Sequence, residues 1–375
     1  MILNIVENFD SLKKFNTGKP TMRLNKLILK GYKSIKHTEI DLNNLNVFIG
    51  ANGAGKSNFI FFFQLLHAIV NEQLSIFVPK NGFADAFLHY GRKHTEAIEA
   101  QLELGTDGYQ FRLEPTADNR FIFTDETLTY QKHQKVTHLG AGHSESNLSE
   151  FYNNEIAKRI IPIIKHWQVY HFHDTSRTAH QKQIGSIHDY AYLREDASNL
   201  AAFLYKLKLK HEKQYRAICM TVQKVAPFFG DFILEPTLED SSSILLKWRE
   251  KGRDFPFTAH HLSDGTLRFI CLATVLLQPQ PPTSIIIDEP ELGLHPFAIN
   301  ILGSLIRSLS KSNQIILSTQ SVNLLDQFQP DDVIVTQRIN EVSLFNRLKA
   351  AELEKWLVDY SLSELWEKNY LKGIV

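Results

Sequence analysis

Eight residues near the start of the chain have the types and spacing of a phosphate-binding loop. Residues 50–57 read Gly-Ala-Asn-Gly-Ala-Gly-Lys-Ser and fit the pattern G-x-x-x-x-G-K-[S/T]. The three glycines let the backbone wrap closely around phosphate with its N–H groups inward. Lys56 is expected to reach the β- and γ-phosphates, and the Ser57 hydroxyl to ligate Mg²⁺. The residues predicted to contact the nucleotide are Gly50, Ala51, Asn52, Gly53, Ala54, Gly55, Lys56, Ser57 and Asn58.

The sequence on either side of this loop is that of a strand and a helix. The apolar run over residues 45–49 predicts a buried strand, and the run from Ser57 to about Val70 predicts a helix. A strand–loop–helix context is what separates a functional phosphate loop from a chance Gly-rich turn. The helix also adds its N-terminal dipole to the binding of an anion.

An acidic pair in the last third of the chain provides the second half of the predicted site. Residues 284–287 read Ser-Ile-Ile-Ile, a buried strand that runs directly into Asp288 and Glu289. The carboxyl end of a buried strand is where an open α/β sheet places its ligand. Asp288 is expected to hold Mg²⁺. Glu289 is expected to orient or deprotonate the attacking water, a role that accelerates reactions by ~10²–10⁴.

Two further segments complete an ordered series of motifs. Residues 262–266 read Leu-Ser-Asp-Gly-Thr ahead of an apolar helix, and residues 291–296 read Glu-Leu-Gly-Leu-His-Pro after the acidic pair. Ser263 can cap the helix that follows it, and Gly265 permits close backbone approach. The series resembles the ATP-binding-cassette family. Within that family it resembles the RecF/SMC-type heads and the related predicted AAA ATPases often found beside nuclease or defence genes.

That resemblance implies an α/β P-loop NTPase fold, with an antiparallel β subdomain and a helical insertion. It implies that Ser263 and Gly265 contact the γ-phosphate of ATP bound on a second subunit, so that a homodimer encloses two nucleotides. Residues 292–294 match the loop that couples the two sites. The implied ligands are ATP and Mg²⁺, and the implied partners are DNA and a nuclease or other effector protein, in genome maintenance or anti-phage defence.

The chain departs from the family pattern after the strand that follows the acidic pair. Transporter cassettes usually place a histidine there, whereas residues 318–321 read Ser-Thr-Gln-Ser, with Gln320 in that place. Glutamine donates a hydrogen bond to a phosphate oxygen but carries no charge, which suggests slow basal turnover. The catalytic residues predicted are therefore Glu289, Gln320 and Lys56. The metal-sensing glutamine of the family has only candidates, Gln181 and Gln183.

Read with the family in mind, the chain divides into five segments. They are an N-terminal extension (1–21), a first ATPase lobe with the phosphate loop and β subdomain (22–135), a mostly helical insertion (136–256), a second lobe with the signature, acidic pair and Gln320 (257–340), and a helical tail (341–375). Alternating apolar residues over 95–130 predict an antiparallel meander. Residues 137–150 are predicted as a loop, and 150–167 and 197–227 as helices.

Composition sets broad limits on the class of protein. Of 375 residues, 43% are hydrophobic, and 41 Lys+Arg balance 41 Asp+Glu, so global charge neither requires nor excludes nucleic acid. The two cysteines, Cys219 and Cys271, stand apart and imply no disulfide framework. No secretory signal is visible, and the longest apolar run, residues 59–70, is too short to span a bilayer. We therefore expect a cytoplasmic protein with no membrane partner.

Four weaker signals leave alternatives open. Lys33 and Ser34 lie near the nucleotide or in a surface hairpin. Packing or surface positions are favoured over a metal site for His166, His171 and His173. Lys206, Lys210 and Lys213 track a phosphate backbone or form a solvated helix face. The apolar and aromatic stripe of the tail docks on the core or on a partner; it comprises Leu353, Trp356, Leu357, Tyr360, Leu362, Leu365 and Trp366.

Two rival functions make different predictions. A transporter motor is disfavoured because the stretch from Ser57 to Leu262 is unusually long and the signature reads Ser-Asp-Gly-Thr. An ATP-sensing scaffold would bind ATP tightly with negligible turnover, and Glu289→Gln would leave it unchanged. Intrinsic nuclease activity has no support, because no second acidic cluster stands out.

Overall fold

Short apolar runs between polar turns produce the strands of this chain. The computed structural model describes residues 22–130 and 135–372, so the extension predicted for residues 1–21 lies outside the described residues. The strands are β1 (Leu24–Tyr32), β2 (Ile35–Asp41), β3 (Leu45–Ile49), β4 (Ile98–Leu104), β5 (Asp107–Pro115), β6 (Phe121–Tyr130), β7 (Lys135–Gly140), β8 (Trp167–Tyr170), β9 (Gly185–Ser186), β10 (Phe229–Ile233), β11 (Ser243–Ile244), β12 (Lys247–Glu250), β13 (Pro256–Thr258), β14 (Ser284–Asp288), β15 (Gln314–Thr319), β16 (Val333–Ile339) and β17 (Val342–Arg347).

The helices fall between these strands. They are α1 (Lys56–Val70), α2 (Leu74–Lys80), α3 (Glu155–Lys165), α4 (Leu200–Lys210), α5 (Glu212–Val225), α6 (Asp264–Leu277), α7 (Pro296–Ser310), α8 (Val322–Leu325), α9 (Ala350–Leu353) and α10 (Leu362–Glu367). None of the helices in the described part of the chain combines the length and the apolar character that crossing a bilayer would need.

Two compact units divide the chain. Among the described residues, the first unit holds residues 22–169, 282–286 and 312–372, and the second unit holds residues 170–281 and 287–311. Each unit is therefore built from separate stretches of sequence. The lobe boundaries at residues 135, 256 and 340 stay predictions.

The first unit contains a six-stranded antiparallel sheet with the order β2-β1-β4-β5-β6-β7. Strands β4, β5 and β6 confirm the meander predicted for residues 95–130. Along β4 the buried residues alternate with half-buried ones, because successive side chains of a strand point to opposite faces. Ile98, Ala100, Leu102 and Leu104 form its buried face.

The second six-stranded sheet positions the phosphate loop. Its order is β17-β16-β3-β15-β14-β8. Strand β3 pairs in parallel with β15 and with β16, and all five of its residues are buried, as parallel strands require. Helix α1 follows the loop and packs its aromatic side chains on this strand. The ring of Phe59 lies 4.4 Å from that of Phe48 and 5.6 Å from that of Phe63.

The second unit is built on helices α4 to α7 with small sheets beside them. Strands β10, β12 and β13 form one sheet and β9 pairs with β11. Pro296 occupies the first turn of α7, as predicted, where its missing N–H costs nothing. Both cysteines are buried thiols and lie in this unit.

Three predicted segments differ from the structure. The loop predicted at 137–150 begins as strand β7, which pairs with β6. The helix predicted over 197–227 is divided at His211 (φ −139°, ψ 53°), so Lys213 does not continue the helix face of Lys206 and Lys210. The helical tail predicted from residue 341 begins as strand β17, because a tight turn at Asn340 and Glu341 folds it back on β16.

The insertion predicted as mostly helical over 136–256 also contains strands. Besides α3, α4 and α5 it includes β7 to β12, most of them short. Strands of so few residues carry little periodicity, which is why the sequence pattern did not predict them. In the tail, Leu353, Leu362 and Leu365 are buried, whereas Trp356 is 41% exposed.

Candidate functional site

The phosphate loop joins β3 to α1 in the first unit, and its glycines adopt the backbone that this turn needs. Gly53 has φ 76°, and Gly55 has φ 112° and serves as the N-cap of α1. Such positive φ values strain residues with a Cβ. At Gly55 a Cβ would also lie 2.0 Å from the Ser343 hydroxyl. The loop therefore accepts only glycine at this position.

Lys56 is held across the mouth of the loop. Its side chain is buried at 4% exposure, and its Nζ donates to the carbonyls of Gly50 at 2.7 Å and Ala51 at 3.1 Å. The neighbouring residues 51–53 and Ser57 are exposed. A buried ammonium beside exposed loop backbone is suited to binding an anion, because little water competes for the charge.

A serine cluster supports the loop from behind. The Ser343 hydroxyl donates to the Ala54 carbonyl at 2.7 Å and lies 2.7 Å from the Ser34 hydroxyl. Asn58 donates to Ser34 at 2.7 Å. Ser34 thus touches the loop and its helix. The Lys33 ammonium instead lies 4.2 Å from the centre of the Phe61 ring.

Gln320 follows β15 in the same unit. Thr319 and Ile49 are register partners in the parallel pair of β15 and β3. Gln320 is therefore one residue beyond the partner of Ile49, just as Gly50 is one residue beyond Ile49. Neighbouring strands are about 4.8 Å apart, so the structure places the exposed Gln320 beside the first residue of the phosphate loop.

The signature segment begins helix α6 in the second unit. Ser263 caps that helix by accepting a hydrogen bond from the Thr266 N–H at 3.2 Å, as its sequence position predicts. Gly265 lies directly against the loop that follows the acidic pair. A Cβ on Gly265 would be 2.2 Å from the Gly293 carbonyl oxygen. The two segments are thus packed backbone to backbone.

Arg268 ties the same two segments together from inside the unit. This arginine is 7% exposed and donates to the carbonyls of Leu292, Phe172 (2.8 Å) and His173 (3.1 Å). Burial lowers the pKa of the guanidinium. Main-chain carbonyls at three points satisfy its fork of donors. No sequence motif indicated Arg268, because its acceptors are backbone atoms distant in sequence.

The acidic pair lies at the end of β14, and the segment after β8 contacts it. His173 Nε2 donates to the Asp288 carbonyl at 3.0 Å. Burial lowers the pKa of the neighbouring His171, and the negative charge of Asp288 acts in the opposite direction. Glu289 adopts φ 44°, a left-handed backbone that is uncommon for a side chain with a Cβ. Backbone strain of this kind collects at functional turns.

The remaining candidates lie in less distinctive surroundings. Gln181 is buried and donates to the Asp174 carbonyl at 2.5 Å, and Gln183 donates to the Arg177 carbonyl at 3.1 Å. Both glutamines therefore bond to local backbone. Within residues 22–130 and 135–372, no three His, Cys, Asp or Glu side chains are grouped so that they could hold a metal ion.

The structure therefore assembles two groups of predicted residues. In the first unit it brings together the phosphate loop, Ser34 and Gln320. In the second unit it brings together the signature segment, residues 292–294 and the acidic pair. A phosphate loop between a buried parallel strand and a helix, together with an antiparallel sheet, defines a P-loop ATPase of the AAA, ABC and SMC-like type.

The chain belongs to the family described as "AAA domain, putative AbiEii toxin, Type IV TA system", whose model matches residues 45–326. It is similar to the Old nuclease of Escherichia phage P2, with 24% identity over 360 residues that cover 81% of this chain and 57% of the phage protein. It is also similar to the phosphate import ATP-binding protein PstB of Ehrlichia ruminantium, with 25% identity over 34% of this chain and 51% of PstB. The chain thus spans little more than half the length of these relatives.

Two solved structures with a similar fold are SMC head domains. One is an SMC head bound to the C-winged helix domain of ScpA, with TM-score 0.55 and 18% identity over 88% of this chain and 99% of that chain. Another is an SMC head with an extended coiled coil and the C-terminal domain of ScpA from Pyrococcus furiosus. Its TM-score is 0.52, with 17% identity over 90% of this chain and 98% of that chain. These likenesses establish the fold.

Proposed function

We propose that this chain binds and hydrolyses ATP with Mg²⁺, and that two copies join head to tail around two nucleotides. In this proposal the phosphate loop of one copy and the signature residues Ser263 and Gly265 of the other contact the same nucleotide. Closure of the two copies is the output, and it acts on DNA or on a partner effector such as a nuclease. The similarity to the phage Old nuclease supports the last element.

The observation that carries the proposal is the geometry at Lys56. The loop is already folded around its ammonium, which two loop carbonyls hold at 2.7 and 3.1 Å. Glycines with positive φ keep the backbone free of Cβ atoms at Gly53 and Gly55. A pre-formed loop of this kind binds phosphate with little ordering cost. The residues present therefore fit a nucleoside triphosphate.

We assign Mg²⁺ to Ser57 and Asp288, whose hydroxyl and carboxylate oxygens are the ligands that this ion prefers. When bound, Mg²⁺ would neutralise charge that develops on the phosphate oxygens. Glu289 is assigned to the attacking water as base or orienting group. Gln320 is assigned a hydrogen bond to a γ-phosphate oxygen. Because an amide carries no charge, we expect turnover to be slow.

The test is the Glu289→Gln variant. Replacing the carboxylate by an amide keeps the shape of the turn and removes the proton acceptor, so ATP turnover should fall about 10²- to 10⁴-fold while binding persists. With saturating ATP and Mg²⁺ the variant should accumulate as a dimer in light scattering. Glu354→Gln, at an exposed glutamate of the tail, serves as the matched control. A Glu289→Gln chain that stays monomeric would contradict the proposed head-to-tail dimer.

An ATP-sensing scaffold is the second candidate, favoured by Gln320 at the position where transporter cassettes place histidine. A scaffold binds ATP tightly and hydrolyses it negligibly, so Glu289→Gln would leave its behaviour unchanged. Measuring turnover of the unaltered chain beside Glu289→Gln separates the two functions. A transporter motor is less well supported, because the similarity to PstB covers 34% of this chain.

A separate experiment tests whether closure of the proposed dimer acts on DNA. Positive and negative residues balance at 41 each, so binding must come from a local cluster of cations. ATP turnover should then rise with duplex DNA, and the rise should fade as salt increases, because phosphate contacts release counterions. If DNA does not change the rate of ATP turnover at any salt concentration, the dimer acts on a partner protein and not on DNA.

A further inference from the structure

An exposed tyrosine on strained backbone lies in the first unit, close to the phosphate loop. Tyr90 is 46% exposed and adopts φ 58°. A bulky aromatic residue with a positive φ is an outlier that costs about 1–3 kcal/mol. Two further non-glycine turns with positive φ converge on it, at Lys33 (φ 46°) and at Asn340–Glu341 (φ 46° and 69°). Asn340–Glu341 is the ordinary two-residue turn of the β16–β17 hairpin, so the backbone strain that needs explaining is that of Tyr90.

Contacts fix the position of the Tyr90 ring. Its hydroxyl donates to the Glu341 carbonyl at 3.1 Å and accepts from Arg338 Nη2 at 3.3 Å. The ring of His89 meets that of Tyr90 edge to face at 4.5 Å. His89 Nδ1 in turn donates to the Lys33 carbonyl at 2.7 Å. The ring is thus anchored at its hydroxyl end while nearly half of its surface stays open.

Strand register places this ring and Arg338 beside the phosphate loop. Arg338 and Ser343 are direct partners in the β16–β17 hairpin, so their side chains share one face of it. Ser343 contacts the loop at Ala54, and Thr336, which is on the same face as Arg338, lies against Gly50. The loop therefore covers the inner part of this face. Arg338, which is exposed, is the next position outward.

Arg338 also has an open bonding capacity. Its hydrogen bonds go to two neutral oxygens, the Glu341 carbonyl at 3.3 Å and the Tyr90 hydroxyl. Across residues 22–130 and 135–372 it has no carboxylate partner. A guanidinium plane and an anchored aromatic ring are the two surfaces on which proteins stack planar heterocycles.

We propose that Tyr90 and Arg338 form the subsite for the nucleobase of the bound nucleotide. This inference rests on the proposed function, because it assumes a nucleoside triphosphate in the phosphate loop. Stacking recognises the π-face of the base, whereas hydrogen bonds read its edge. The subsite therefore adds affinity for nucleoside triphosphates as a class, whichever base they carry, over inorganic polyphosphate, which has no base.

The experiment compares ligands with and without a base. Affinities for Mg-ATP and for inorganic tripolyphosphate are measured by calorimetry on the unaltered chain and on three variants. Tyr90→Asn removes the ring and suits the left-handed backbone, because asparagine tolerates positive φ. Tyr90→Phe keeps the ring and removes the hydroxyl anchor. Tyr152→Asn changes a tyrosine of the same unit that is 55% exposed, and is the matched control.

Tyr90→Asn should weaken Mg-ATP binding roughly 5- to 100-fold and leave tripolyphosphate affinity unchanged. Tyr90→Phe should recover most of the loss, and Tyr152→Asn should change nothing. Arg338→Gln provides a second variant, with the same selective loss expected. Equal weakening of both ligands, or no weakening of ATP, would overturn the subsite while leaving the ATPase proposal intact. An unaltered chain that binds neither ligand would overturn both.

Discussion

We expect His67 to make the stability of the first unit sensitive to pH. It is half-buried in α1, and its Nε2 accepts a hydrogen bond from Asn71 at 3.2 Å. Burial, and secondly the charge of Lys165, lower the pKa of His67. In the unfolded chain the His67 imidazole binds a proton near pH 6.5, whereas in the folded chain it stays neutral to a lower pH. The free energy of unfolding should therefore fall as the pH drops from about 6.5 to the lower pKa of the folded state.

Melting temperatures between pH 8 and pH 5 test this prediction. The unaltered chain should lose on the order of a few degrees more than His67→Gln, whose amide does not titrate. His37→Gln, at an exposed histidine of β2, is the control and should follow the unaltered chain. If the melting temperatures of all three proteins fall equally between pH 8 and pH 5, His67 is not the cause of the pH dependence.

At the residue scale, the sequence predicts local structure where a fixed order of neighbouring residue types encodes it. The phosphate loop is contiguous, so its glycines and Lys56 could be recognised without a structure. Ser343 could not, since it supports the loop through a hydrogen bond to the Ala54 carbonyl across 289 positions. Arg268 was missed for a related reason. Its acceptors are carbonyl groups, which every residue has and no motif records.

Elements followed the same division between local pattern and distant pairing. Strands β3 and β4 were predicted because their apolar residues are continuous or strictly alternating. Strand β17 was read as helix because its existence depends on a turn with positive φ at Asn340 and Glu341. No proline or glycine marks the break between α4 and α5 in the sequence, since the residue at the break is His211.

The contact between α6 and the loop after the acidic pair leads to a prediction for Gly265. Gly265→Ala would place a Cβ 2.2 Å from the Gly293 carbonyl, a main-chain atom that cannot rotate away. The two segments must then separate, which should cost about 1–3 kcal/mol of stability. It should also reduce ATP turnover more than ATP binding, because the phosphate loop belongs to the other unit.

Gly185→Ala is the matched control, because a Cβ there would lie 3.9 Å from its nearest neighbour. Chemical denaturation measures the stability difference, and steady-state kinetics with equilibrium binding separates turnover from affinity. If Gly265→Ala and Gly185→Ala have equal stability and turnover, the backbone contact is not what positions the signature segment.

At the scale of the whole molecule, the predicted site residues fall into two compact units. The phosphate loop and Gln320 belong to the first unit, and the signature and the acidic pair to the second. In the head-to-tail dimer that we propose, each nucleotide also draws on two chains. A two-fold dimer of this kind contains two equivalent composite sites. Because each site draws on both chains, two chains with different defects can complement each other in a mixed dimer.

Mixing two inactive variants therefore tests the composite site directly. Lys56→Ala removes the cation of the phosphate loop, and Ser263→Arg obstructs the signature, so each variant alone should lack turnover. In a mixed dimer one site carries both defects and the other carries none. An equimolar mixture should thus regain up to about a quarter of the original rate, because half of the dimers are mixed and one of their two sites is intact. A chain with both substitutions should rescue neither variant, which controls for non-specific stabilisation. An equimolar mixture as inactive as its components would mean that the two motifs do not serve the same nucleotide across a dimer.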